Sequence, residues 1–373
     1  MDFDALRRAP DTEGDGLRAW DAADRLILDE AGAWLAEAGD GEVVVIGDTH
    51  GALALGAADR GARDVRVHQD ALLGERAIAA NAARTGLAGA VRIVPFDAGL
   101  AASARLVLLR LPRSLDALDE IAGLVAAHAA DDVVVVAGGR IKHMTLAMND
   151  VLRRHFGRLD VTHARQKSRV LVARDPIRPT EPSPWPARAR DDELGLTVVA
   201  HGGVFAGSGV DIGTRALLAH VGEVADAADI DEVIDLACGT GVVAAWLAER
   251  MPRARVRALD QSAAAVASAR ATAEANGVAD RVTAERADGL ETVPDATARL
   301  VALNPPFHSG AAVTTALAER LFADAGRALA PGGTLVTVWN SHLRYRPALE
   351  RLVGPTRQLG RTPKFTVTAS TRP

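Results

Sequence analysis

The sequence predicts an α/β protein made of two tandem domains of the same kind, and three observations predict it. Short apolar runs alternate with helical patterns along the chain, as in open parallel sheets covered by helices. Five prolines between Asp175 and Pro186 interrupt that alternation near mid-chain and read as an extended, semi-rigid linker. The segments on either side repeat each other. A length of 373 residues accommodates two domains. The expected boundaries are a first domain over 1–174, a linker over 175–190 and a second domain over 191–373.

In chain order, residues 17–38 show helical spacing (Leu17, Trp20, Ala23, Leu26, Ile27, Leu28, Leu35) that breaks at Gly39 and Gly41. Val43–Ile46 is a strand, followed by a glycine-containing turn and a second helical pattern. Val65–Val67 is a strand with a helix over Leu72–Arg84. Val91–Val94, Leu106–Leu109 and Val133–Val136 are further strands, with helices between them. Beyond the linker, Leu196–Val199 reads as a small β entry and Arg215–His220 as the start of a helix. Val233–Leu236 is a strand with the helix Val242–Arg250 after it. Val256–Leu259 is a strand, and the helix Ala263–Asn276 is closed by Gly277. Val282–Ala284, Leu300–Leu303 and Thr334–Val338 complete a parallel set, and Phe365–Thr368 reads as a final strand.

Hydrophobic residues make up 48% and charged residues 24%, a balance that fits globular domains rather than a disordered chain. Cys238 is the only cysteine, which excludes an intrachain disulfide and a cysteine-based metal cluster. No run approaches a membrane span, the N-terminus lacks a signal peptide's apolar core, and the expected location is cytoplasmic. The net charge of −5 argues against a general nucleic-acid binder, but the charge is segregated. Residues 139–190 hold 12 basic against 4 acidic residues, a net of +8, and residues 340–373 hold 7 against 1, a net of +6. Residues 1–40 hold 4 against 11, a net of −7. Such segregation steers a polyanion to one face, and the plainer reading is a set of solvated faces. The candidate polyanion contacts, which the resemblance given below makes RNA contacts, are Arg140, Lys142, Arg153, Arg154, Arg165 and Lys167.

The repeat separates scaffold from chemistry. Glu42–Ile46 up to Gly51 lies over Glu232–Leu236 up to Gly241, and Arg105–Leu109 lies over Arg299–Leu303. Asp235 becomes Val45 and Gly239 becomes Thr49 in the first copy. Asn304-Pro305-Pro306-Phe307 becomes Arg110-Leu111-Pro112-Arg113. The first copy keeps the strands and loses the functional side chains, so the active site belongs to the second.

In that second copy, Asp235-Leu-Ala-Cys-Gly-Thr-Gly241 joins a strand to a helix, and its glycines allow a sharp turn and close approach to a ligand. Asp260 ends the next strand, where an acid accepts hydrogen bonds from the ribose hydroxyls of an adenosine cofactor. No third glycine opens the helix, which suits a cofactor with an amino-acid end and no pyrophosphate. Asp288, with Gly289, stands where it can read an adenine amino group or simply hold a turn. Asn304-Pro305-Pro306-Phe307 ends the strand Leu300–Leu303, because two prolines cannot continue a ladder. The carbonyls at Asn304 and Pro305 offer acceptors for an exocyclic amine, with the Asn304 amide and the Phe307 ring as a stacking face beside them. The plainer reading is a capped strand end. Asp235 either contacts the cofactor or braces the loop, and Cys238 reads as a small buried filler.

On these motifs the chain resembles the class I S-adenosylmethionine-dependent methyltransferases, which implies two Rossmann-like domains with the first degenerate. Asp235–Gly241 looks like their first motif and Asn304–Phe307 like the substrate motif of exocyclic-amine methyltransferases. More narrowly, the chain resembles the tandem-domain ribosomal RNA guanine-N2 methyltransferases. Val204-Phe205 through Gly209-Val-Asp211-Ile-Gly213-Thr214 and Asn304-Pro-Pro-Phe-His308 carry this, with Ala19–Asp24 and Asn340-Ser-His-Leu343 followed by Lys364-Phe365 favouring the large-subunit branch. The resemblance implies S-adenosylmethionine as cofactor and no metal. Its binding set would be Phe205, Asp211, Thr214, Asp235, Ala237, Cys238, Gly239, Gly241, Asp260, Gln261, Asp288, Gly289 and Asn304. The substrate would be a guanine of ribosomal RNA, naked or in a subunit particle, and the duplicated chain would act as a monomer. The competing expectations are the same reaction on small-subunit RNA, glutamine-N5 methylation of a protein, and a non-catalytic RNA-binding assembly factor.

Overall fold

The computed structural model describes the chain except for residues 15, 227–229 and 306–310, with the backbone alone at 226 and 311–314. It divides into two compact units, Met1–Trp185 and Pro186–Pro373.

The first unit opens with helices α1 (Ala22–Glu30) and α2 (Gly32–Glu37). It then alternates β1 (Val43–Ile46), α3 (Ala52–Asp59), β2 (Val65–His68), α4 (Leu72–Thr85), β3 (Val91–Ile93), α5 (Ala98–Ala101), β4 (Leu106–Arg110), α6 (Leu115–His128), β5 (Val134–Arg140) and α7 (Leu146–His155). The hairpin β6 (Phe156–Val161) and β7 (Ser168–Pro176) closes it. Helix α1 starts later than the apolar spacing suggests because Asp21 and Asp24 form a capping box, leaving Leu17 and Trp20 outside the helix. The run expected over 17–38 is therefore two helices, broken at Ala31.

The sheet order is β3-β2-β1-β4-β5-β7-β6. The first five strands are parallel, as the alternation requires. The last two are not: β7 runs antiparallel to both β5 and β6. The short connection over 162–167 joins neighbouring strands directly, which only antiparallel pairing allows. Strand β1 is buried on both faces. Val43 and Val45 pack with Leu53, Leu55 and Val67, while Val44 and Ile46 pack with Leu100 and Leu118.

The second unit begins with the hairpin β8 (Ala187–Asp191) and β9 (Leu196–Ala200). Strand β7 runs through Pro176 and β8 opens at Ala187, so both ends of the expected linker are strand. Its Trp185 donates its indole N–H to Asp119, 3.0 Å away. The unit continues with α8 (Ile212–Asp226), β10 (Glu232–Leu236), α9 (Val242–Arg250), β11 (Arg255–Asp260), α10 (Ala263–Ala275), β12 (Val282–Arg286), β13 (Ala298–Leu303), α11 (Ala311–Ala328), β14 (Leu329–Asn340), α12 (Arg346–Leu352), β15 (Thr356–Arg361) and β16 (Phe365–Thr371). Its order, β12-β11-β10-β13-β14-β16-β15, repeats that of the first unit strand for strand. Here too β16 runs antiparallel to β14 and β15.

Candidate active site

Register brings the motifs together. Leu236, the last residue of β10, pairs with Leu259 of β11 on one side and with Leu303 of β13 on the other. Ala237, Asp260 and Asn304 therefore lie side by side at the carboxyl edge of the sheet. This is where the strand order reverses, the position at which open α/β sheets bind ligands.

The loop between β10 and α9 has three left-handed residues, Ala237 (φ 58°), Gly239 (φ 54°) and Gly241 (φ 74°). The two glycines are needed for different reasons. A Cβ on Gly241 would stand 2.7 Å from Cα of Ala269, so that glycine lets α10 approach. A Cβ on Gly239 would meet nothing within 4 Å, so space is open there. Asp235 is buried, and its carboxylate accepts from the Ala244 N–H in the first turn of α9 at 3.0 Å. Burial pushes its carboxyl up to about 8; the Ala244 hydrogen bond pulls it down and the Asp260 charge raises it. Asp235 thus braces the loop from below. Burial also pushes the Cys238 thiol well up, with the Asp260 and Asp235 charges adding to it, which disfavours the reactive thiolate.

Asp260 ties the two loops together. One oxygen accepts from the Gly239 N–H at 3.0 Å and the other from the Ser262 N–H at 2.9 Å. Asp260 thus stands at the end of β11 directly beside the glycine loop. Gln261 holds the outer end of β12 through its backbone carbonyl, which accepts from Arg286 at 3.2 Å. Asp288 has a partner that the sequence does not mark. Both of its oxygens accept from the Arg320 guanidinium, each at 2.7 Å, a fork that leaves no trace in the local sequence. Gly289 (φ 57°) has no room for a side chain beside Asp324.

The Asn304 Nδ2 donates to Asp211 Oδ2 at 3.2 Å and to the Thr214 hydroxyl at 3.1 Å. Asp211 precedes α8 and accepts from the Gly213 N–H at 2.7 Å, the Thr214 N–H at 3.3 Å and the Thr214 hydroxyl at 2.5 Å. Pro305 follows Asn304 and is buried. Phe205 is 57% exposed, so it is not a core residue. Pro306 and Phe307 lie outside the described residues.

The first unit has the same edge with different contents. Asp48 is buried in the turn after β1, accepting from Gly51 N–H at 3.0 Å and Ala54 N–H at 2.8 Å, and burial raises its carboxyl. Gln69 stands where Asp260 stands in the second unit and accepts from the Ala71 N–H at 2.9 Å. Asn81 joins the His50 carbonyl (2.8 Å) to the Arg7 backbone (2.7 and 3.0 Å), so the N-terminal segment is tied to this turn. These bonds tie the loop into its own unit, although the buried His50 Nδ1 has no partner among the described residues.

The six candidate RNA contacts separate into two sets. Arg153, Arg154 and Arg165 are paired with Asp150 (3.3 Å), Asp119 (2.8 Å) and Glu30 (2.8 Å). Among the described residues, no ion pair engages Arg140, Lys142 or Lys167. Arg113, unmarked as an RNA contact from sequence, belongs with these. Desolvation lowers the His143 imidazole, followed by the charges of Arg113, Lys142, Arg140 and Arg110, which marks a cationic cluster at the ends of β4 and β5.

These residues fit S-adenosylmethionine: open space over Gly239, a carboxylate at the end of the adjoining strand, and a loop without the third glycine of a pyrophosphate site. A family model described as the methyltransferase small domain matches residues 195–369, and one described as the RLMG N-terminal domain matches residues 2–177. The protein named Ribosomal RNA large subunit methyltransferase G from Pseudomonas fluorescens is 37% identical over 367 residues, covering 97% of this chain and 96% of its own. Its namesake from Streptomyces avermitilis is 37% identical over 375 residues, covering 97% and 95%. The chain belongs to the ribosomal RNA large subunit methyltransferase G family. It is thereby a class I S-adenosylmethionine-dependent methyltransferase. The T. thermophilus 16S rRNA N2 methyltransferase RsmC, solved with AdoMet and guanosine, has the same two-domain fold, with a TM-score of 0.72 at 23% identity over 97% of each chain.

Proposed function

We propose that the protein transfers a methyl group from S-adenosylmethionine to the exocyclic N2 of a guanine in large-subunit ribosomal RNA. The observation that carries this reading is the register of Leu236 with Leu259 and Leu303, which sets the cofactor loop, Asp260 and Asn304 at one sheet edge. The relatives named for the large subunit are 37% identical and the small-subunit structure 23%, which favours the large subunit.

When bound, S-adenosylmethionine supplies an activated methyl group with its own leaving group. Asp260 would hold the ribose and the Gly239 region the amino-acid end, with Asp288 and Gly289 on the adenine side. The guanine amine is a poor nucleophile because its lone pair is delocalised into the ring. Asn304 Oδ1 and the Pro305 carbonyl would accept its two N–H bonds, align the nitrogen and favour sp3 geometry as positive charge develops. Phe307 would stack on the base. A paired guanine would first be flipped from its stack. Arg113, Arg140, Lys142 and Lys167 in the first unit would hold phosphates, with Arg153, Arg154 and Arg165 secondary because acids already partner them.

The test is incubation with labelled cofactor and ribosomal RNA, naked and assembled, from a strain lacking the enzyme. Mass spectrometry of the nucleosides should give N2-methylguanosine in large-subunit RNA. Absence of transfer to any RNA refutes the reading, and a methyladenosine product refutes the pocket assignment.

A further inference from the structure

We infer that Asp211 and Thr214 are positioning residues for Asn304: they fix which end of its amide faces the substrate. The resemblance to the methyltransferases assigns both to the cofactor. Their hydrogen bonds point elsewhere. A carboxylate can only accept, so the amide nitrogen of Asn304 must be the end turned towards Asp211. The Thr214 hydroxyl donates to the same Asp211 oxygen, which leaves its lone pair to accept the second Asn304 N–H. Both donors of the amide are thereby consumed inside the protein. Among the described residues no donor reaches Oδ1, which is left as the acceptor that an amine N–H requires. The inference rests on the methyltransferase reading above and extends it to what aims its acceptor.

Three further observations support this. Asp211 also caps α8 through the Gly213 and Thr214 N–H groups, so its carboxylate is held on a rigid helix end. A Cβ on Gly213 would stand 3.0 Å from Asp211 Oδ1 and 3.5 Å from Asn304 Oδ1, so the intervening glycine leaves the pair room. The first unit repeats the arrangement with other chemistry. There Arg110 takes the place of Asn304, and Asp21 and Asp24, the cap and third helical residue of α1, hold its guanidinium. In both units the same two helix-end positions grip the residue at the carboxyl end of the corresponding strand, β4 or β13. With Arg110 the grip closes as an ion pair, and with Asn304 it engages only the donor end of the amide.

The arrangement predicts what a near-isosteric change does. In Asp211→Asn the helix cap survives, because Asn caps as well as Asp. The amide nitrogen introduced by that substitution would then oppose the one on Asn304, and Asn304 would turn over, presenting donors to the substrate amine. We expect kcat to fall by about tenfold or more while the cofactor Kd changes by no more than about threefold. Thr214→Ser, which keeps the hydroxyl, should retain more kcat than Thr214→Val. Asn304→Asp places two carboxylates in contact and should lower the melting temperature. The exchange Asp211→Asn with Asn304→Asp restores an N–H···O pair and should recover it. Cofactor titration and thermal unfolding need no RNA, so they test the inference even if the wild-type protein methylates no ribosomal RNA. Wild-type kcat in Asp211→Asn, additive melting temperatures across the exchange, or a Kd that rises in step with the loss of kcat would each overturn it.

Discussion

Asn304 and Asp235 are both strand-end polar residues, and their surroundings give them opposite duties. On the proposed reading Asn304 offers an acceptor to the substrate, so Asn304→Ala should lower kcat by about 100-fold or more while calorimetry finds the cofactor affinity nearly unchanged. A collapse of cofactor binding would show that the residue serves the wrong ligand. Asp235 is buried beneath the loop, and its role is visible in pH dependence. Its folded pKa of about 8 lies above the ordinary 3.8, so folding favours its protonated form. That contribution is complete below about pH 4 and is lost as pH rises through about 8. Asp235→Asn keeps an acceptor for the Ala244 N–H and removes the titration. Wild-type stability should therefore fall relative to Asp235→Asn between about pH 5 and pH 8, as read from urea unfolding. Parallel curves would mean that the carboxyl is ionised throughout.

The loop joining β10 to α9 separates packing from binding at the scale of the element. Gly241→Ala adds left-handed strain and a contact with the Ala269 backbone, and should destabilise the protein by about 2–4 kcal/mol in denaturant titration. Gly239→Ala carries the backbone strain alone, about 1–2 kcal/mol, but its methyl enters the open space over the loop. The cofactor Kd should rise by about tenfold or more at Gly239, whereas Gly241→Ala should act mainly through folding. Equal effects of the two substitutions on Kd and stability would contradict the division. The hairpins β6–β7 and β15–β16 complete the sheets, and the polar, partly exposed strands β6 and β15 carry little apolar alternation. That is why β6 and β15 escape a reading based on hydrophobic runs; β7 is absent from that reading although Val170–Ala173 is such a run.

Across the whole molecule, two copies of one fold carry different residues at the same sheet edge. The first copy fills its own loop with Asp48, Gln69 and the Asn81–Arg7 link, so calorimetry of the full chain should give one S-adenosylmethionine per chain. Two sites would refute this reading of the first copy. The cations of the first unit predict an unequal response in RNA binding. Lys142→Ala or Arg113→Ala should reduce the slope of log K against log salt by about 0.7–0.9 for each lost phosphate contact. Arg154→Ala, whose partner Asp119 already holds it, should change the slope less. A larger effect at Arg154 would move the RNA path away from the ends of β4 and β5.

Local pattern made the parallel strands, the glycine loop, Asp260 and Asn304 legible in the sequence. Apolar runs, left-handed turns and strand-breaking prolines are properties of neighbouring residues. The internal repeat added a comparison, since Arg110 against Asn304 showed which copy kept its chemistry. The partners stayed hidden. Arg320 lies far along the chain from Asp288, Asp211 from Asn304, and Glu30 from Arg165, and no periodicity records such pairs. Only the packed sheet and helix ends decided that Asp288 faces a guanidinium, that half of the candidate RNA contacts are already neutralised, and that the Asn304 amide is held by its donor end. Side-chain hydrogen bonds and ion pairs are set by distance in space, and chain spacing alone does not determine it.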